Sequence, residues 1–477
     1  MNLVKRNLGQ LSLTFRVLWL FLIAVMLLGG GSRSDIYSLI ILRPLAVGCC
    51  IFGLWRLQHV HFQAHRGLLL FALSIFVLVG LQLVPLPPAI WHALPGRAII
   101  SEVDRVAGLG DVWRPFTVAP DAGWNAFYAL FVPLAVLVLG VQIEREERFL
   151  LLPLFIGYGV LTACIGIFQL TNAGSIFYFY DITNTGLSTG MFANRNHHAV
   201  YLACMFPMLA VYASPMGGSR KRSQMRLPLC LCGVLLLVPL ILITASRAGL
   251  IVGTIGLGAI FALISLPADL NNTRRNSGDF WGMTKAQLIT AAGALIVIAV
   301  AAISIFYLRG TALQRLLDVN NGDARSSYWT ATMAMLGDYF PVGSGFGSFV
   351  ETFKIGEPHS LLGPSYINHA HNDFLELALT GGLPAAILFL IAAVYFLRSS
   401  LKVWSGSWGG MFAVGKSSGL GKRVQLARMG SVIILMLAIA SAVDYPLRTP
   451  VMSAFLIVQV LWLHAGMTRD GDTMQQK

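Results

Sequence analysis

Two histidines, two amides and a carboxylate fall together in the stretch Ile367, Asn368, His369, Ala370, His371, Asn372 and Asp373, just ahead of a long apolar run. Histidine gives and takes a proton near neutrality more readily than any other side chain. A neighbouring carboxylate, Asp373 or Glu376, would raise its basicity and fix which ring nitrogen carries the proton. General acid–base chemistry is therefore within reach of this group. The plainer reading is that Asn372 or Asp373 caps a helix, yet capping alone does not call for two histidines. Zinc held by His369, His371 and Asp373 is the other candidate, but nothing else supplies a ligand set, so no metal and no cofactor is expected.

Three more polar groups interrupt apolar sequence. Asn194, Arg195, Asn196, His197 and His198 precede one apolar run; Thr244, Ser246 and Arg247 sit between two others; Asp444, Tyr445, Arg448 and Thr449 occupy a third such turn. A single arginine in such a turn would be an ordinary anchor at the headgroups. Here Arg195, Arg247, Arg325 and Arg448 all belong to one face, and charges at a membrane boundary are costly enough to be functional candidates. A diphosphate is the ligand that wants several arginines, because the guanidinium fork pairs with phosphate oxygens and keeps its charge. One such pair at 4 Å is worth about 4 kcal/mol before desolvation at an effective dielectric near 20. Arginines holding a pyrophosphate leaving group, with a base beside it, would complete a group transfer from a lipid-linked donor.

The elements that must position these residues are membrane helices. Of the 477 residues 56% are hydrophobic and only 12% charged, with a mean hydropathy of +0.71. Soluble domains carry about a quarter charged residues, so that class is excluded. The net charge of +13 comes from basic residues in short loops between apolar runs, which is the positive-inside pattern and not a nucleic-acid footprint. The six cysteines, Cys49, Cys50, Cys164, Cys204, Cys230 and Cys232, lie in or beside apolar runs and read as packing residues.

A ruler of about 20 apolar residues per span predicts twelve: 11–30, 36–57, 67–84, 123–143, 149–170, 193–213, 227–245, 248–266, 286–308, 374–397, 429–443 and 449–466. The first is read as a span and not as a cleaved signal peptide, since its apolar stretch is long and no cleavage site follows. The fold class is thus an all-α integral membrane protein. Basic loops at 220–226, 274–285 and 402–428 place both termini in the cytoplasm. Two long segments then lie outside: 85–122, which opens on prolines and holds an amphipathic stretch, and 309–373, too long to be an idle connection. Within the latter a short helix is predicted over 325–336, stopped by Gly337, followed by a turn-rich stretch from Pro341 to Ser348.

These residues together resemble the O-antigen ligase family, whose relatives include O-antigen and exopolysaccharide polymerases and some protein O-oligosaccharyltransferases. The resemblance covers 155–465, most strongly 192–199, 246–249, 325–372 and 444–450. The ligase pattern of His, a polar residue, nine residues and Gly fits His371, Asn372 and Gly382; its last position, after two intervening residues, holds Ala385 where the pattern has Gly, Thr or Tyr. The arginine pattern meets Ile251 after Arg247 in place of Leu.

The resemblance implies a membrane glycosyltransferase of the GT-C type. It would move a glycan from undecaprenyl pyrophosphate to an acceptor hydroxyl at the periplasmic face of a bacterial inner membrane. The acceptor would be lipid A–core in a ligase or the growing polysaccharide in a polymerase, with membrane lipids as surroundings and no nucleic acid. It implies His371 as the base and Arg247 and Arg325 as pyrophosphate ligands, helped by Arg195 and Arg448. His369, Asn372, Asp373, Asn196, His197 and Asp444 would support them. The chain would divide into N-terminal spans (1–150), a ligase-like domain (151–466) and a cytoplasmic tail (467–477). A transporter of lipid-linked glycans is the reading from another class; polar residues gathered at one interface, and not at the midplane of broken helices, favour an enzyme.

Overall fold

The structure is a computed structural model that describes residues 11–171, 174–214, 220–264, 324–363, 366–405 and 418–467. Eight helices among the described residues are long and apolar enough to cross a membrane, which makes the chain an all-α, multi-pass membrane protein. In chain order the helices are α1 (Leu13–Leu28), α2 (Leu39–Arg56), α3 (His59–Leu81), α4 (Pro88–His92), α5 (Ala98–Val106), α6 (Pro120–Ala129), α7 (Phe131–Gly140) and α8 (Leu151–Phe168). There follow α9 (Arg195–Ala213), α10 (Arg220–Ile243), α11 (Arg247–Leu263), α12 (Ala324–Tyr339), α13 (Phe349–Gly356), α14 (Asp373–Trp404), α15 (Ser418–Ser441) and α16 (Pro450–Met467). Helices α1 and α11 are apolar but shorter than a full span. The predicted span 286–308 lies outside the described residues, as do 1–10 and 468–477.

Helix α9 is the axis of the bundle, buried along nearly its whole length. Lipid tails are as apolar as leucine, so helices in a bilayer are drawn together by close packing and not by a hydrophobic drive. Helix α11 supplies the required small face. A Cβ on Gly249 would come within 2.4 Å of Ala199, and one on Gly256 within 2.9 Å of the Ala203 carbonyl. On its other side α9 packs on α8 and α16 through Tyr201, whose ring lies 5.2 Å from Phe455 and whose hydroxyl donates to the Phe155 carbonyl at 2.9 Å.

Helix α14 is broken where the sequence places Gly382, at φ +58 and two residues ahead of Pro384. The break frees backbone groups, and the turn-rich stretch after α12 satisfies them. Ser344 N–H donates to the Leu379 carbonyl (3.0 Å), Gly345 N–H to the Thr380 carbonyl (2.8 Å), and Leu383 N–H to the Pro341 carbonyl (2.8 Å). Gly343, at φ +85, sits so close that a Cβ would meet the Thr380 carbonyl at 2.6 Å. Ala385 is buried against this joint, with a Cβ on Gly381 falling 2.3 Å from its own, so a small residue suits the position where the pattern has another.

The segment 85–122 is a module of its own. Strand β1 (Pro85–Leu86) pairs antiparallel with β2 (Arg114–Pro115), bringing the exit of α3 and the approach to α6 side by side, with α4 and α5 between them. Arg97 ties it to the α14 joint. This guanidinium is fully buried, donates to the carbonyls of Pro95 (2.8 Å), Phe116 (2.9 Å) and Gly343 (3.2 Å), and lies over the rings of Trp91, Phe116 and Tyr339. Burial lowers its pKa to about 10, leaving it a cation at neutral pH.

Two expectations need correction. Gly337 does not stop α12, which runs on to Tyr339; the packing of buried Met335 and Tyr339 outweighs a glycine penalty of about 1 kcal/mol. Helical backbone in α3 begins at His59, eight residues ahead of the apolar run, and kinks at His65 before that run; Gln58 and His61 cap this first piece reciprocally, while His59, His61, His65 and Arg66 hide it from a hydropathy ruler.

Candidate active site

Four segments meet at one end of the bundle: the approach to α14, the first turns of α9 and α12, and the 444–448 turn between α15 and α16. Asn372 caps α14, its side-chain oxygen accepting from the N–H groups of Phe374 and Leu375, both at 3.1 Å. The chain enters that cap through His371 at φ +50. Left-handed backbone is uncommon outside glycine, although Asn, Asp and His adopt it more often than most.

That turn aims the His371 imidazole at Asp444. Nδ1 lies 3.2 Å from Asp444 Oδ1, and the carboxylate is buried while the imidazole is partly exposed. The other carboxylate oxygen accepts from Asn196 Nδ2 at 2.5 Å, and Tyr445 N–H donates to Oδ1 at 3.0 Å. Asn196 is placed by the Asn194 cap of α9, whose side-chain oxygen accepts its N–H at 2.8 Å. Burial alone would raise the Asp444 pKa. The hydrogen bond from His371 and the charges of His197, His371 and Arg325 outweigh it and hold the carboxyl well below its ordinary range. With Nδ1–H committed to Asp444, the lone pair of Nε2 is the one left to accept a proton.

His369 is held by a second carboxylate. Its Nδ1 lies 3.1 and 3.2 Å from the two oxygens of buried Glu376, and Ala370 N–H donates to the same group at 3.0 Å. Arg448 closes this arrangement from the opposite turn, with Nε 2.9 Å from Asp373 Oδ1 and Nη1 3.2 Å from Glu376 Oε1. Burial would lower the guanidinium pKa, but the two carboxylates more than offset it and raise it.

Tyr445 is the hub between the two pairs. Its ring centroid stands 4.4 Å from His369, 4.9 Å from His371 and 5.1 Å from His197. Burial and the Asp444 charge push its phenol up to about 12, so it stays a neutral donor. His197 is buried with both ring nitrogens lacking a hydrogen-bond partner among the described residues.

The arginines take different places. Arg325, in the first turn of α12, donates to the Val443 carbonyl at 3.0 Å, next to Asp444. Arg195 opens α9, and its Nη1 lies 3.5 Å from the Thr244 carbonyl. Arg247 opens α11 on the same turn, exposed, behind the Ser246 cap that accepts Gly249 N–H at 3.0 Å. The structure thus joins His371, His369, Asn372, Asp373, Asn196, His197, Asp444, Arg448 and Arg325 in one cluster; Arg195 stands next to it in the chain and touches the 244–246 turn, and Arg247 is exposed on the far side of that turn. Glu376, one of the two carboxylates that the sequence sets beside the histidines, takes His369. Tyr445 is legible in the sequence only as a neighbour of Asp444, and its place between the histidines follows from the fold.

No curated protein matches this chain. Residues 232–390, a third of its length, match the O-antigen ligase family; they include Arg247, Arg325 and His371, whereas Asp444, Arg448 and the start of α9 lie outside. The chain is therefore a multi-pass membrane protein in which one segment matches the O-antigen ligase family, and that match supports a ligase- or polymerase-type function in the assembly of a cell-surface polysaccharide.

Proposed function

We propose that the protein transfers a glycan from a lipid pyrophosphate, undecaprenyl pyrophosphate, to an acceptor hydroxyl, with His371 as general base. The observation that carries this reading is the His371–Asp444 pair, fixed by Asn196 and Tyr445 and rimmed by arginines. The acceptor hydroxyl gives its proton to His371 Nε2 while its oxygen attacks the anomeric carbon. The bond from that carbon to the pyrophosphate oxygen breaks, and the lipid pyrophosphate leaves. Asp444 stabilises the imidazolium as it forms, at little cost in reorganisation because it is already aligned. A single in-line displacement inverts the anomeric centre.

Arg247 and Arg325, with Arg195, receive the pyrophosphate in this scheme. Arg448 does not: its two carboxylate contacts suit it to holding Asp373 and Glu376, and through them the His369–His371 turn. The basic loops support a site on the periplasmic side of a bacterial inner membrane, with 1–150 as supporting spans, 151–466 as the catalytic part and 467–477 as a cytoplasmic tail.

The test is to delete the gene in its host and size lipid-linked and surface glycans on a gel, adding back wild type or His371→Ala. Full-length polymer retained on the carrier lipid, with lipid A–core bare, identifies lipid A–core as the acceptor. Single repeat units identify the growing chain. Rescue by His371→Ala as complete as by wild type removes His371 from the mechanism.

A further inference from the structure

We propose that helix α5 lies in the boundary between headgroups and acyl chains of the bilayer, with Ile99, Val103 and Val106 turned into the lipid. The helix has three distinct faces. Asp104 is buried and receives a bidentate ion pair from Arg114, which fixes one face on the module. Glu102 and Arg105 form an exposed ion pair along a second face. Ile99, Val103 and Val106, spaced four and three residues apart, make the third, and they are 62%, 60% and 73% exposed. Three branched aliphatic side chains on one stripe, flanked by a charged stripe, is the pattern of a helix lying in a membrane surface. In water the same stripe would be an uncompensated apolar patch.

The surroundings say which apolar phase covers it. From Gly67 to Gly96 the chain carries no Asp, Glu, Lys or Arg. The exposed apolar surface of span α3 therefore runs on past the end of the helix, through Leu81, Val84 and Ile90, all about half exposed or more. The β1–β2 pair holds both roots of the module at the ends of α3 and α6, so α5 cannot stray far from the bilayer edge. Its apolar stripe thus belongs to a module rooted where the exposed apolar surface of α3 ends.

The test uses the full-length protein in lipid nanodiscs. Cys164→Ser and Cys232→Ser remove the accessible thiols, the other four cysteines being buried. A bimane label is attached at Val103→Cys or, on the charged face, at Glu102→Cys. Nitroxide placed high on the acyl chains quenches the Val103 label roughly threefold more than the Glu102 label, and aqueous iodide reverses the order. Ile99→Cys repeats the measurement should Val103→Cys fail to accumulate. Iodide quenching of position 103 as strong as that of position 102 would place the face in water and overturn the proposal. Protection from both quenchers would place protein over it, including a second copy, and overturn it equally.

Discussion

His371 stands in left-handed backbone, a conformation that costs most side chains of order 1 kcal/mol and glycine almost nothing. His371→Gly is therefore the replacement its turn accepts best, and it leaves an imidazole-shaped gap between Asp444 and Tyr445. Glycan transfer by this variant falls at least about 100-fold, and added imidazole restores part of it; a rate assay with and without imidazole checks both. Asp444→Asn keeps the shape of the site but removes the charge that supports the imidazolium, lowering transfer by about two orders of magnitude. The same variant has a signature in stability. Folding lowers the Asp444 pKa from 3.8 to about 2, so the stability it contributes is complete above the ordinary value and is lost as the pH falls toward 2. Thermal unfolding in detergent then shows wild type above Asp444→Asn at pH 7, with the gap closing below about pH 4. At this scale the sequence was most legible where chemistry is local. The histidine turn and the Asn372 cap follow from neighbours in the chain, whereas Arg448 meeting Asp373 across 75 residues, or Asn196 meeting Asp444 across 248, leaves no trace in a single sequence.

Helix α14 shows the same division one level up. Its apolar run and its glycine were plain in the sequence, but not that the glycine breaks the helix or that the turn-rich stretch after α12 fills the break. Gly343 is one of the points where the two elements touch backbone to backbone. Gly343→Ala meets both an unfavourable φ and a carbonyl at 2.6 Å, and it lowers stability by about 1–3 kcal/mol. Unfolding midpoints measured alongside Gly258→Ala, where a Cβ meets nothing within 4 Å, separate this clash from a general effect of alanine. Among the described residues hydropathy located the helices long enough to span, since a bilayer demands apolar length, and missed the piece of α3 ahead of its kink, since capping histidines are polar.

Across the whole molecule, the bundle carries the site at one end and the 85–122 module beside it, and Arg97 joins them. Arg97→Met leaves the Pro95, Phe116 and Gly343 carbonyls without their donor; that of Gly343 is the buried one, and a buried acceptor costs about 1–3 kcal/mol when unpaired. Hydrogen exchange in this variant rises first at 341–347 and next at 366–372, while α9 and α16 stay protected. Exchange confined to α5 would show instead that the module ends at its own boundary.

The buried Arg97 clamp has a consequence for the membrane itself. If α5 rides at the headgroups, the height of the bilayer surface is fixed to the Gly343 carbonyl, and through the α14 joint to the turn that carries His371. Hydrophobic thickness then becomes a setting of the reaction rate, since a mismatch costs fractions of a kcal/mol per ångström. Transfer measured in nanodiscs of stepped acyl-chain length passes through an optimum, and Arg97→Met flattens it.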